Sequence, residues 1–266
     1  MRIIDTHVHI FGDVDITDLI REMDENGVER SIILSMYDRR SLRGTREHLL
    51  DARRMVKQFP DRLDCLAFVN PTIPGMASLC EEALGEMGFA GLKIIPDHYY
   101  VTDESLEPFW EAMNRAKASI LFHTGMLSGF DDSSRFCRPI YLEKLVHYPH
   151  IRFSMAHVAW PWIEECLAVM GRFRDIAETP DAWQSYVDIT IGPPPHIRKQ
   201  AVANAIAFSG ADHVVFGSDA SLPGGLDSQK RDIREWKRIF AELGLDDVTQ
   251  ERIFSGTADE LFPHRV

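Results

Sequence analysis

The sequence predicts an α/β protein, a single (β/α)8 TIM barrel with a C-terminal helix, and three observations predict it. Eight short β-branched or apolar runs alternate with longer segments of helical period, and the alternation continues to the end of the chain. No Gly/Ser linker or low-complexity tract separates the units. The competing doubly wound sheet would be expected to carry a Gly-rich phosphate loop after an early strand, yet neither G-x-G-x-x-G nor G-x-x-x-x-G-K-[ST] occurs. A chain of 266 residues suits one barrel of this kind, so residues 1–266 are expected to form one domain.

Taken in order, strands are predicted over residues 2–9, 31–37, 63–70, 91–96, 119–123, 152–158, 185–190 and 213–218, each a run of Val, Ile, Leu or Phe with few interruptions. The segments between the early strands are amphipathic: ITDLIREMDENG, REHLLDARRMVKQF, MASLCEEALGEMG and LEPFWEAMNRAKA. PIYLEKLVHYP, WIEECLAVMGRF, HIRKQAVANAIAFSG and LDSQKRDIREWKRIFAELG continue the rhythm. Several are stopped by Gly or Pro, as helices usually are, and TQERIFSGTADELF supplies a terminal helix.

Composition narrows the function classes. With 45% hydrophobic and 26% charged residues the chain reads as an ordinary soluble globular protein, and no apolar run approaches the roughly 20 residues needed to cross a bilayer. No membrane partner is expected. Asp5, His7 and His9 interrupt the apolar start where a signal peptide would need an unbroken run, so the cytoplasm is the expected location. Cys65, Cys80, Cys137 and Cys166 form no C-x-x-C pair, which fits reduced thiols. The balance of 29 basic against 41 acidic residues, a net charge of -12, disfavours nucleic acid as a partner.

In a barrel the C-terminal ends of all strands gather on one face, and active sites sit there. The first strand ends in His7 and His9, the fifth in His123, the sixth in His157 and the eighth in Asp219, while the fourth carries Lys93. Side chains on a strand alternate with period two, so His7 and His9 share a side, and strict alternation places Asp5 on it too. Singly, each residue has an ordinary explanation: a strand-end coincidence, a hydrogen-bonded packing histidine, or for Asp219 a helix N-cap. Together they fall where the barrel brings strand ends into one place. Three imidazoles and a carboxylate with room for water make a catalytic rather than a structural metal shell.

These residues lie in stretches that resemble a known family. IDTHVHIF, GLKIIP, LFHTG, AHVAWPWIEECLAVMGRF, YVDIT, FGSDASLP and IFSGTADELF are similar to the amidohydrolase superfamily, in its amidohydrolase-related branch of metal-dependent TIM-barrel hydrolases, over essentially the whole chain. The resemblance implies His7, His9, His123 and Asp219 as metal ligands and His157 as an unligated histidine beside the reacting water. It implies one divalent ion, zinc with manganese as the alternative; a second ion bridged by a carboxylated Lys93 is the less favoured arrangement. It further implies that Asp219 both touches the metal and accepts the proton of the water. The sequence departs from relatives at Ile95, where His is frequent, and at Thr257, where Asn is frequent.

An unmodified Lys93 pointing inward needs an anionic neighbour, and Asp5 is the candidate. Arg39, Arg40 and Arg43 follow the second strand and are expected in a catalytic-face loop, where guanidinium forks suit a substrate carboxylate, although for any one of them a solvated loop is the simpler reading. Tyr99, Tyr100, Phe130, Arg135, Trp160 and His196 occupy other strand-to-helix loops and are candidate pocket residues, with loop anchoring as the plain alternative.

The expected function is hydrolysis of a lactone, ester or amide in a small, carboxylated molecule. Two alternatives stand. One is non-oxidative decarboxylation of the aminocarboxymuconate-semialdehyde or resorcylate decarboxylase type, which uses the same kind of metal constellation. The other is a catalytically inactive barrel acting as a binding protein, which would be expected to lack a ligand, and none is missing. No G-x-S-x-G elbow supports a serine nucleophile. The oligomeric state, monomer or homo-oligomer, stays open at this stage.

Overall fold

The computed structural model describes every residue except 13, 39–43, 129–130, 226 and 266, and the side chain of residue 181. Its strands are β1 (Ile4–Ile10), β2 (Arg30–Leu34), β3 (Leu63–Val69), β4 (Gly91–Ile94), β5 (Ser119–Phe122), β6 (Arg152–Met155), β7 (Ser185–Asp188), β8 (Val214–Val215) and β9 (Ala220–Leu222). Among the described residues they form one parallel sheet in the order β8-β7-β6-β5-β4-β3-β2-β1-β9. The predicted eighth strand is therefore split: β8 pairs with β7, β9 pairs with β1, and residues 216–219 link them. Phe216 O closes the gap between β8 and β1 by accepting from Thr6 N (3.2 Å) and Thr6 Oγ1 (2.9 Å). The result is the predicted TIM-barrel-like α/β fold.

Helices α1 (Ile16–Asn26), α2 (Arg46–Val56), α3 (Met76–Leu84), α4 (Glu107–Arg115), α5 (Ile163–Ile176), α6 (Pro195–Ser209) and α7 (Asp227–Leu243) surround the sheet, followed by α8 (Asp247–Glu251) and α9 (Thr257–Leu261). Helix α1 shows why these segments start and stop where they do. The Asp15 side chain accepts from Thr17 N at its N-terminus, and Gly27 ends it at φ 69, a conformation glycine adopts without a Cβ clash. The segment predicted as a helix between the fifth and sixth strands instead forms 3-10 turns, Ser133–Cys137 and Pro139–His147. Pro139 opens its second half and Pro149 follows it. The terminal helix is interrupted by a π-type turn at Arg252–Gly256 between α8 and α9.

Alternation along the strands divides the core in two. Ile33, Cys65, Ala67, Leu92, Ile120, Phe153 and Val187 pack with the helices. Ile4, Ile32, Leu34, Leu66, Leu121, Tyr186 and Val215 face the opposite way and pack together with Ala258, Leu261 and Phe262 of the chain's end. The lower barrel interior is thus plugged by apolar side chains, which leaves the upper end for polar ones.

Strict alternation fails once, in β1. Between Asp5 and Val8 three residues of β1 run against two of β2, from Ser31 to Ile33, a bulge that turns the following side chains to the other face. Ile4 lies in the interior cluster, whereas Asp5 reaches out to Gln229 of α7. After the bulge, His7 and His9 take the interior side and Val8 and Ile10 the helix side. Asp5 therefore does not share their side, contrary to the sequence expectation.

Candidate metal centre

His7 and His9 at the end of β1 meet Asp219 from the segment that joins β8 to β9. Asp219 Oδ1 lies 3.3 Å from His7 Nε2 and 3.1 Å from His9 Nε2. One ligand atom from each of these three residues falls within 4.8 Å of the others. Asp219 has a backbone φ of 55, a left-handed conformation rare outside glycine, and the hydrogen-bonded surroundings hold it there. Ser218 anchors the turn: its N–H and Oγ–H donate to Asp5 at 2.9 and 2.6 Å, and Gln229 Nε2 donates to the same carboxylate at 2.9 Å. Asp5 is thus a buttress behind Asp219, and its carboxyl is pushed up to about 6 by burial. Its bonding partners do not include Lys93, so the expected Lys93–Asp5 pair does not form.

Lys93 is buried inside the barrel with Nζ 3.3 Å from His7 Nε2. Burial pushes its ammonium down to about 8, against the opposing pull of Asp219 and Asp188. Asp188, at the end of β7, was not singled out from the sequence. Its Oδ2 is 3.0 Å from His7 Nδ1, and its Oδ1 accepts from Thr190 N at 2.5 Å. Applying the strand-end rule to YVDIT as it was applied to the other strands would have found it.

His157 follows β6 in a left-handed turn, with φ of 63, 48 and 51 at His157, Val158 and Ala159. Three such residues in a row, one of them β-branched, override the extended backbone expected through residue 158. Thr190 Oγ1 accepts from His157 N (3.1 Å) and faces His157 Nδ1 at 2.9 Å. Two glycines admit these rings. A Cβ on Gly217 would lie 2.7 Å from His7 Cβ, and one on Gly192 would lie 2.5 Å from His157 Cβ. The His157 ring lies 5.7 Å from that of His7 and 5.0 Å from that of His123.

His123 stands apart from the three-residue cluster. Its Nε2 faces Met126 O at 3.3 Å, which makes that nitrogen a donor to the carbonyl. Burial pushes the imidazoles of His7, His123 and His157 down, His157 to about 4, so these rings are neutral at pH 7. For Asp219 burial acts upward, but attraction to His7, His157 and His9 in their protonated forms, with a hydrogen bond from His9, outweighs it and holds the carboxyl well below its usual range.

The donor chemistry fits a divalent cation. A neutral His7 that donates Nδ1–H to Asp188 turns the lone pair of Nε2 toward Asp219 Oδ1, an acceptor facing an acceptor at 3.3 Å. A cation between them removes that repulsion, and an imidazole-carboxylate set suits zinc or manganese.

The weaker expectations fare differently. Tyr99 is buried, with its hydroxyl 3.5 Å from Ile95 O. Tyr100 packs against Phe136 and Tyr141, and Arg135 pairs with Asp132 at 3.0 Å. Trp160 packs against the core, its carbonyl accepting from Met126 N, and His196 is exposed in the first turn of α6. Among the described residues no hydrogen bond, ion pair or ring contact joins any of these to His7, His9 or Asp219. Arg39, Arg40, Arg43 and Phe130 lie outside the described residues.

Comparison with known families places the chain. The amidohydrolase family model matches residues 4–264. The chain belongs to the amidohydrolase family. No curated protein matches this amidohydrolase in sequence. Solved structures share its fold at low identity. A probable 2-pyrone-4,6-dicarboxylic acid hydrolase from Acinetobacter baumannii, with citric acid bound, is 17% identical with a TM-score of 0.68, over 98% of this chain and 99% of that one. An amidohydrolase from Burkholderia multivorans with bound zinc is 14% identical with a TM-score of 0.70, over 98% and 99%. A 5-carboxyvanillate decarboxylase from Novosphingobium aromaticivorans, complexed with manganese and 4-hydroxy-3-methoxy-5-nitrobenzoic acid, is 16% identical with a TM-score of 0.68, over 94% and 80%. Among the described residues no helix is long and apolar enough to cross a membrane.

Proposed function

We propose that this amidohydrolase, as one domain spanning residues 1–266, is a metal-dependent hydrolase in which an activated water attacks the lactone, ester or amide carbonyl of a small, carboxylated substrate. The observation that carries this reading is the convergence of His7 Nε2, His9 Nε2 and Asp219 Oδ1 at the mouth of the barrel. His7, His9 and Asp219 would hold one divalent ion, zinc or manganese, with His123 completing the shell once its ring leaves Met126 O. When bound, such an ion lowers the pKa of water from about 16 toward about 7 and polarises a carbonyl oxygen.

The protein's own groups do the rest. Asp219, held ionised, takes the proton of the attacking water on a carboxylate oxygen and passes it to the leaving oxygen or nitrogen. Thr190 Oγ1 already accepts from His157 N, so its own proton is available to His157 Nδ1, which leaves the imidazole proton on Nε2. His157 is then a neutral donor suited to the substrate's carbonyl oxygen. Lys93, with Nζ beside His7 Nε2, contributes a fixed positive charge at the floor of the site, which favours an anionic substrate group.

Decarboxylation of a carboxylated aromatic or muconate-like acid is the second reading. It is supported by the decarboxylase match, whose TM-score of 0.68 equals that of the pyrone dicarboxylate hydrolase. Incubating metal-loaded protein with a lactone and ester panel, in parallel with a panel of aromatic and muconate-like acids, separates the two. Ring opening or ester cleavage without carbon dioxide is expected. Release of carbon dioxide alone would overturn hydrolysis, and metal-free protein that gains nothing from zinc or manganese would favour a barrel that only binds.

A further inference from the structure

The end of the barrel opposite the histidines carries a cavity of about 950 Å³. Ser119 and Arg152, the first residues of β5 and β6, and Gln184, just before β7, line it, so it opens at the N-terminal ends of the strands. Four cations border it, Lys117, Arg152, Arg172 and Arg265, against two carboxylates, Glu178 and Glu260. In a chain of net charge -12 this is a local reversal of sign.

Arg172 is paired with Glu143 at 3.3 Å, but the other three cations form no ion pair among the described residues. Glu260 is engaged by Arg252 at 2.6 Å. Arg152 Nη1 donates to the backbone carbonyl of Glu260 (2.9 Å) and Arg265 Nη1 to that of Leu84 (2.7 Å), so each keeps its full charge and further N–H donors. Lys117 makes no side-chain bond among the described residues. It also occupies a position that favours glycine: it follows α4 with φ 51, donating its N–H to Asn114 O. A long cationic side chain kept where glycine fits better points to a use for the charge. Ile176, a large apolar side chain 39% exposed, adds an apolar wall.

We propose that this cavity is a second binding site of the protein, separate from the catalytic mouth, for a small organic anion carrying two or more negative charges, a phosphate ester or a polycarboxylate. Its concavity and volume lie in the range of small-molecule sites, which favours such a ligand over an acidic protein surface. Arg152 and Arg265 supply planar forks for the anion, Lys117 a point charge, and Ile176 a contact for the carbon skeleton.

The test is calorimetric titration of the full chain with pyrophosphate and, separately, citrate, repeated on Lys117→Gly, Arg152→Gln and His9→Ala. Saturable 1:1 binding is expected, about tenfold weaker in Lys117→Gly and in Arg152→Gln and unchanged in His9→Ala. Lys117→Gly relieves the backbone at φ 51, so it should unfold no earlier than the parent, which separates lost binding from lost structure. Response to pyrophosphate alone assigns the site to phosphate esters, and response to citrate alone assigns it to polycarboxylates. Binding that survives both cavity substitutions, or that His9→Ala abolishes, would overturn the proposal. So would the absence of binding by either anion, including the case in which only a polyglutamate peptide binds.

Discussion

Asp188→Asn tests how the centre is held. The wild-type carboxylate is fully buried and serves two donors, His7 Nδ1 on Oδ2 at 3.0 Å and Thr190 N on Oδ1 at 2.5 Å. Asparagine has nearly the same shape but a single acceptor oxygen, so its amide nitrogen must face one of those donors. If the amide nitrogen faces Thr190 N, that buried N–H loses its partner, at about 1–3 kcal/mol of stability. If the amide nitrogen faces His7, it drives the imidazole proton to Nε2 and removes the lone pair that points at Asp219. Loss of such a partner typically weakens metal affinity about 10–100-fold. Competition for zinc against a chromophoric chelator reads the affinity, and urea unfolding of the metal-free protein reads the stability. A folded variant that binds zinc as tightly as the parent would refute the claim that Asp188 sets the His7 tautomer.

Asp219→Asn keeps the volume and removes the proton acceptor, so kcat on any substrate found should fall about 10²–10⁴-fold; retention of more than a tenth of the activity would take Asp219 out of proton transfer. Gly217→Ala places a Cβ 2.7 Å from His7 Cβ and 2.8 Å from Thr190 Cγ2, and should cost about 1–3 kcal/mol in urea unfolding while weakening metal binding. An unchanged midpoint would show that the β8–β9 link has slack there. Lys93 titrates near 8 in the fold against 10.5 ordinarily, so the folded chain resists its protonation. Its contribution to stability is fully present above about 10.5 and is lost as the pH falls through about 8. The stability of metal-free parent minus that of Lys93→Met should therefore rise by about 3 kcal/mol between pH 8 and 10.5. A flat difference, measured by urea titration across that range, would mean that Lys93 is better solvated than its burial indicates.

Periodicity alone carried the barrel, because alternation of period two and helical period are local properties of the chain, and a barrel then gathers strand ends on one face whatever the loops do. That is why THVHI and FGSDAS by themselves bring His7, His9 and Asp219 together. Direction at the strand ends is another matter, because it depends on backbone conformations that distant hydrogen bonds impose. The bulge in β1 sends Asp5 outward to Ser218 and Gln229, although strict alternation aligns it with His7. The left-handed residues at His157 and Asp219 end β6 and split the last strand in a stretch whose composition reads as extended. His123 sits at the right strand end, yet its Nε2 is taken by Met126 O. Asp188 became a partner of His7 only because closure of the sheet leaves just the split last strand, β8 and β9, between β7 and β1. Residue types and spacings thus specify which groups reach the mouth of the barrel, and closure of the sheet specifies which atoms they turn toward one another, because side-chain direction is a property of the whole hydrogen-bonded ring.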